Sequence, residues 1–223
     1  MLDLNLLSDF IFQGNILKVR EFTENALADD IQPEEILNKG LLEGMKTVGI
    51  HFKNNDIFLP EVMLSSQAMN AGMKIIQPFL TRSGIKPLAR VIIGTVKGDL
   101  HDIGKNIVTM MLKGGGFEVI DLGIDVSSEK FLAATKKYQP EVLGMSAMLT
   151  TTMMSMKDTI DAFEKENLRK QVKIIIGGTA ITGNFAKEIG ADGYAPDAVS
   201  AVNMAKGFLS ENSKNIEGRT IVC

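Results

Sequence analysis

The chain has 223 residues, and 24 basic against 27 acidic side chains leave a net charge of −3. That balance gives no electrostatic reason for a nucleic-acid partner, and apolar runs such as residues 91–96 are far too short to span a bilayer. The start, Met-Leu-Asp-Leu-Asn, lacks the basic segment of a secretory signal, and a single cysteine, Cys223, leaves no basis for a disulfide framework or a multi-cysteine metal site. The expectation is a soluble, cytoplasmic protein of one large or two small domains.

The first eighty or so residues read as helices. A short one covers about residues 2–12. Asn15 is placed to cap a second, with Ile16, Val19, Phe22 and Ala26 on one face. Pro33 with Glu34 and Glu35 makes a good helix entrance, and behind it Leu37, Leu41, Met45, Val48 and Phe52 form a stripe. Pro60 opens a fourth helix, where Val62, Ser66, Met69, Met73, Ile76 and Leu80 step at four and three. Four helices joined by short loops predict an antiparallel bundle. The stretch 81–88 breaks the pattern and divides the chain into 1–83 and 84–223.

Beyond that break, strand-like runs (90–96, 118–122, 141–147, 172–176 and a short one near 193–195) alternate with helical ones (103–113, 127–138, 152–167, 183–189, 197–209). Such alternation means a five-stranded parallel sheet with helices on both faces. Ligands of these sheets bind outside the carboxyl ends of the strands, so the loop after the first strand is the place to look. The glycine run 114–116 reads as a helix stop, because a strand follows it. The polar stretch 211–219 reads as a loose tail.

That first loop, residues 97–106, is Lys-Gly-Asp-Leu-His-Asp-Ile-Gly-Lys-Asn. Asp99 and His101 stand two apart, and a metal-ligating histidine usually donates its second ring N–H to a carboxylate. On its own, Asp-x-His reads first as a capping carboxylate beside a satisfied histidine. Zinc fits poorly, since no further ligands are evident nearby. A metal on His101 should arrive with its other ligands attached. The other histidine, His51, reads as a helix C-terminal residue complementing the dipole. Of thirteen methionines, those at 153 and 156 share a helical face with Ile160 and Phe163 and read as core.

Asp99-x-His101-x-x-Gly104, then Ser146-x-Met148, then Gly177-Gly178 resemble the cobalamin-binding signature D-x-H-x-x-G, S-x-L, G-G. The longer string 95–106 is similar to methionine synthase and to the methyl-carrying corrinoid proteins of anaerobic methyltransferase systems. Residues 48–52 and 58–63 look like the helical cap that covers the corrin in those proteins. The resemblance implies an N-terminal four-helix cap followed by a flavodoxin- or Rossmann-like five-stranded parallel sheet, and a cobalamin or related corrinoid as cofactor. Methionine at 148 replaces the family's leucine with nearly conserved volume.

By that resemblance His101 is the lower axial ligand of cobalt in base-off, His-on cobalamin, Asp99 hydrogen-bonds its far nitrogen, and Ser146 extends the relay. Gly98, Leu100, Asp102, Ile103, Gly104, Met148 and Thr150 lie along the corrin and its tail. Gly177 and Gly178 let the backbone approach the nucleotide, and Tyr194 and Ala195 close that channel. On the upper face Phe52, Leu59, Val62 and Met63 shield the methyl–cobalt bond.

The resemblance further implies a subunit without complete activity of its own. A substrate:corrinoid methyltransferase methylates the cobalt, and a second methyltransferase passes the group to tetrahydrofolate or coenzyme M. A reductive activating protein rescues oxidised cobalt, and residues 81–88 serve as the hinge. The alternatives are the cobalamin-binding subunit of a mutase, which has no reason to carry this cap, and a cobalamin-dependent sensor, which would usually add a DNA-binding domain. A flavodoxin-like nucleotide module would leave the three spaced motifs unexplained.

Overall fold

The computed structural model describes residues 2–217, with the backbone alone for 211–217. Cys223 and the end of the polar stretch lie outside the described residues. The chain forms two compact units, residues 1–88 with 113–116, and 89–112 with the chain from 117 onward.

The first unit is helical: α1 (Leu4–Phe12), α2 (Ile16–Ala28), α3 (Pro33–Glu35), a π-helical stretch (Ile36–Leu42), α4 (Glu43–Lys53) and α5 (Leu59–Arg82). Asn15 caps α2 as its position suggests, accepting from the Lys18 N–H at 3.1 Å, and Val19, Phe22 and Ala26 are buried. Glu61 accepts from the Phe58 N–H at 3.0 Å, holding the first turn of α5. The third predicted helix differs from its expected form. Ile36, not Leu37, is fully buried with Leu41, because the wider π turns bring residues five apart into line. The face resumes helical spacing at Met45 and Val48. At Gly40 and Gly44 an added Cβ would meet Leu7 and Ile11 at 2.5 and 2.6 Å, so α1 crosses there at close range.

The second unit alternates β1 (Arg90–Thr95), α6 (Ile103–Gly114), β2 (Glu118–Asp121), α7 (Ser128–Tyr138), β3 (Val142–Ser146), α8 (Met154–Lys165), β4 (Lys173–Gly177), α9 (Gly183–Glu188), β5 (Gly193–Tyr194) and α10 (Ala198–Glu217). The backbone from 211 to 217, read from the sequence as a loose tail, continues α10. All strand pairs are parallel, in the order β2-β1-β3-β4-β5. Ile92, Leu143, Ile174 and Ile176 face Phe131, Met156, Ile160 and Phe163 in one buried cluster, so the methionine at 156 is core.

This order fixes where a ligand goes. The chain steps from β1 to β2 on one side and returns to β3 on the other, so a crevice opens beyond the carboxyl ends of β1 and β3. Thr95 pairs with Ser146, and Ser146 with Gly177, which lines up three strand ends at that edge.

Candidate functional site

The turn after β1 carries the site. Gly98 takes a left-handed φ of +83°, a bend that glycine makes without steric cost. It folds Asp99 back under the sheet edge, where the residue has no exposed surface. Asp99 Oδ1 accepts from the backbone N–H of His101 at 3.0 Å and lies 2.8 Å from His101 Nδ1. Oδ2 accepts from the Thr152 hydroxyl at 2.7 Å and from the Met148 N–H at 2.8 Å, with the Leu149 N–H at 3.4 Å.

Burial alone would raise the Asp99 pKa. The Thr152 hydroxyl, the His101 and Met148 backbone N–H groups and the His101 ring outweigh it and hold the carboxyl well below the usual carboxylate range. An ionised carboxylate only accepts, so Nδ1 of His101 is the donor. The imidazole is thereby fixed with its lone pair on Nε2, which has no hydrogen-bond partner among the described residues. The ring is 49% exposed while its Asp99 partner is sealed. Thr95 Oγ1 donates to the His101 carbonyl at 3.0 Å and ties the backbone of the ligand loop to β1.

The surroundings are apolar and open. Leu100 is 66% and Ile103 69% exposed, and Met148 and Leu149 are also exposed. A side chain added at Gly104 would meet nothing within 4 Å. An anchored imidazole with a free lone pair, among exposed apolar side chains and beside an open glycine, suits a broad flat apolar ligand whose metal lacks one axial donor. A corrinoid is such a group, and the residues present fit it.

A B12 binding domain pattern matches residues 89–203, and a second pattern of the same description matches residues 4–77. The chain is 41% identical over 206 residues to dimethylamine corrinoid protein 3 of Methanosarcina acetivorans, covering 92% of this chain and 96% of that one. The chain belongs to the B12-binding corrinoid proteins. Among solved structures, a cobalamin-binding protein from Desulfitobacterium hafniense is 32% identical with a TM-score of 0.77, covering 93% of this chain and 99% of that one. The methanol:cobalamin methyltransferase complex MtaBC from Methanosarcina barkeri matches at 32% identity and a TM-score of 0.83, covering 93% of this chain and 79% of that one. The corrinoid protein described here thus has the helical cap and Rossmann-like sheet expected of it, and its cofactor is a corrinoid.

Several sequence-predicted positions gather at the carboxyl edge of the sheet: Gly98, Asp99, Leu100, His101, Asp102, Ile103, Gly104, Ser146, Met148 and Thr150 follow β1 or end β3 and lead on from it. The predicted relay needs correction. The side-chain hydroxyl on Asp99 belongs to Thr152, not Ser146, and Ser146 contributes its carbonyl, accepting from the Val96 N–H at 3.0 Å. Residues 147–153 turn back through Thr152 and Met153 N–H bonds to the Leu149 carbonyl, at 3.2 and 3.0 Å, and this turn delivers Thr152 to the carboxylate. The run of three threonines at 150–152 was the available signal, but it does not say which one turns inward. Thr150 and Thr151 are exposed, and Thr152 is buried.

The two glycines at the end of β4 answer to the chain's own backbone. Gly178 has φ +129°, and a Cβ there would lie 1.9 Å from the Ala147 carbonyl oxygen; at Gly177 it would lie 2.8 Å from that of Ala195. Ala195 is buried, and Tyr194 is half-buried against the core cluster. Lys105 went unread: its ammonium is buried, 2.5 Å from Asp121 Oδ2 and 2.7 Å from Asn106 Oδ1.

In the helical unit Met63 is exposed and Phe52 and Leu59 are half-buried, but Val62 has no exposed surface. Val62 lies on the inward stripe of α5 with Ser66 and Met69. His51 closes the last turn of α4, with Nδ1 3.0 Å from Asp56 Oδ2 and its ring 4.8 Å from that of Phe12.

Proposed function

We propose that this corrinoid protein takes a methyl group from a substrate-specific methyltransferase and delivers it to a second methyltransferase, with His101 as the lower axial ligand. The observation that carries the ligand assignment is the pairing of His101 Nδ1 with the sealed Asp99 carboxylate at 2.8 Å, which leaves Nε2 free on an exposed ring. When bound, the corrinoid supplies a cobalt centre able to accept and release a methyl group.

The chain's own residues supply the rest. Asp99 orients the imidazole and keeps its lone pair outward. Its hydrogen-bond partners hold Asp99 ionised, so it remains an acceptor for the ring N–H of His101. Thr152 Oγ1 lies 2.7 Å from Asp99 and 3.1 Å from the Leu149 carbonyl. Its single proton serves one acceptor at a time, so rotation of the hydroxyl adjusts how strongly Asp99 is stabilised. Leu100, Ile103 and Met148 offer apolar contact to the ring and exclude water. Phe52, Leu59, Val62 and Met63 of the cap serve the opposite face, Thr150, Gly177, Gly178, Tyr194 and Ala195 line the path of the displaced tail, and residues 81–88 allow the cap to move aside.

The methyl donor we favour is a small methylated amine, since relatives at about two-fifths identity carry the names dimethylamine and trimethylamine corrinoid protein. The acceptor is tetrahydrofolate or coenzyme M. A reductive activating protein is the third partner in this reading. All of this is cytoplasmic chemistry, and no helix of the described residues is long and apolar enough to cross a membrane.

The test is reconstitution with hydroxocobalamin, gel filtration and absorption spectroscopy of the parent beside His101→Ala. A co-eluting corrinoid whose spectrum changes in the variant supports the ligand assignment. Identical spectra in the two proteins remove it, and no co-elution with a folded parent removes the carrier.

A further inference from the structure

We propose that Asp125 is a positioning residue for the cobalt ligand, holding the Gly98–Asp99 peptide from the β2 side so that His101 is presented in one geometry. The proposal rests on the reading of His101 as axial ligand. Asp125 lies in the loop between β2 and α7, which runs on beside β1 through the Val96–Val126 bridge. Its Oδ1 accepts from the Gly98 N–H at 2.7 Å, and its own N–H donates to the Asp99 carbonyl at 3.1 Å. These two bonds grip the chain on both sides of the Gly98–Asp99 peptide.

The grip matters because of what surrounds it. From the β3 side the ligand turn is held by the bonds on Asp99 Oδ2, by Val96 N–H to the Ser146 carbonyl at 3.0 Å, and by Ser155 Oγ to the Lys97 carbonyl at 3.2 Å. From the β2 side, among the described residues, only Asp125 reaches Gly98 and Asp99. Gly98 is the pivot: it is exposed, at positive φ, and free of the steric limits a Cβ imposes. Without an outside acceptor for its N–H, the turn can rotate, and the 2.8 Å alignment of Asp99 with His101 Nδ1 is no longer enforced. Asp125 itself sits at φ +50°, a conformation open to Asp, Asn and Gly.

That last point gives a clean pair of variants. Asp125→Asn and Asp125→Gly both tolerate the left-handed backbone and keep the N–H to Asp99, but only asparagine retains an acceptor for Gly98. Full-length parent, both variants and His101→Ala are titrated with hydroxocobalamin, following affinity and spectrum, with apo-protein Tm alongside. We expect D125N to stay within about twofold of the parent, and D125G to bind about tenfold more weakly, with its spectrum moved toward that of H101A. The Tm of D125G should stay near that of the parent, because water replaces the lost acceptor at the exposed Gly98. A D125G protein with parental affinity and spectrum overturns the proposal, as does a D125N protein as impaired as D125G. A parent indistinguishable from H101A instead removes the ligand reading, and the proposal with it.

Discussion

Replacing Asp99 by asparagine changes one atom and breaks an arrangement built on acceptors. The parent carboxylate receives N–H or O–H bonds on both oxygens, with no exposed surface. With the asparagine oxygen turned toward His101, its NH2 faces Met148 and Thr152. The Thr152 hydroxyl can reverse and donate to the Leu149 carbonyl at 3.1 Å, but the Met148 N–H is left without an acceptor. With the amide turned the other way, the backbone N–H of His101 is the orphan, and Nδ1 must become an acceptor. The proton then moves to Nε2 and the ring cannot ligate cobalt.

Either orientation strands one backbone N–H, at about 1–3 kcal/mol, and removes the charge that strengthens the remaining bonds. The expected destabilisation is about 2–4 kcal/mol at pH 7, a Tm lower by about 4–16 °C. The pH dependence has a definite sign. The Asp99 pKa is lower folded than unfolded, so its stabilisation is complete above the unfolded value and is lost as pH falls through the folded one. Thermal unfolding of apo parent and D99N should therefore show a constant gap from about pH 5 to 8 that narrows below about pH 4. A Tm within about 2 °C of the parent at pH 7, or a gap that widens in acid, would refute the reasoning.

Thr152→Val should lose about 1.5–3 kcal/mol by urea unfolding, the value of a hydrogen bond to a charged group, while Thr152→Ser should recover most of it. Gly178→Ala should destabilise by several kcal/mol or prevent folding, since its Cβ would overlap the Ala147 carbonyl; expression yield and Tm report this. Gly104→Leu, with open space around it, should leave apo Tm unchanged or slightly raised. It should nevertheless weaken hydroxocobalamin binding at least tenfold in an equilibrium titration.

Much of this was legible in the sequence because periodicity and turn chemistry report local structure. The strand–helix alternation after residue 89, the Asn15 cap and the Met156–Ile160–Phe163 face each appear in the structure. What escaped depended on contacts distant in sequence. Thr152 and Asp99 are 53 residues apart, and the turn that joins them leaves no periodic trace. The π stretch shifts a helical face by one residue, and spacing rules built on regular turns put Leu37 where Ile36 belongs. Lys105 stood among apolar residues near the start of its helix, and the partner of its buried ammonium, Asp121, came from the end of the next strand.

The most direct test of His101 as the lower ligand uses the chain's possession of only two histidines, His51 and His101. The protein is prepared with ordinary histidine and with heavy-nitrogen histidine, reconstituted with corrinoid, reduced to paramagnetic cobalt(II) and measured by electron paramagnetic resonance. His-on coordination predicts that each cobalt line splits in three with ordinary nitrogen and in two with the heavy isotope, that His51→Ala leaves this unchanged, and that His101→Ala abolishes it. A nitrogen splitting indifferent to the labelled histidine, or one that survives in H101A, would contradict the account.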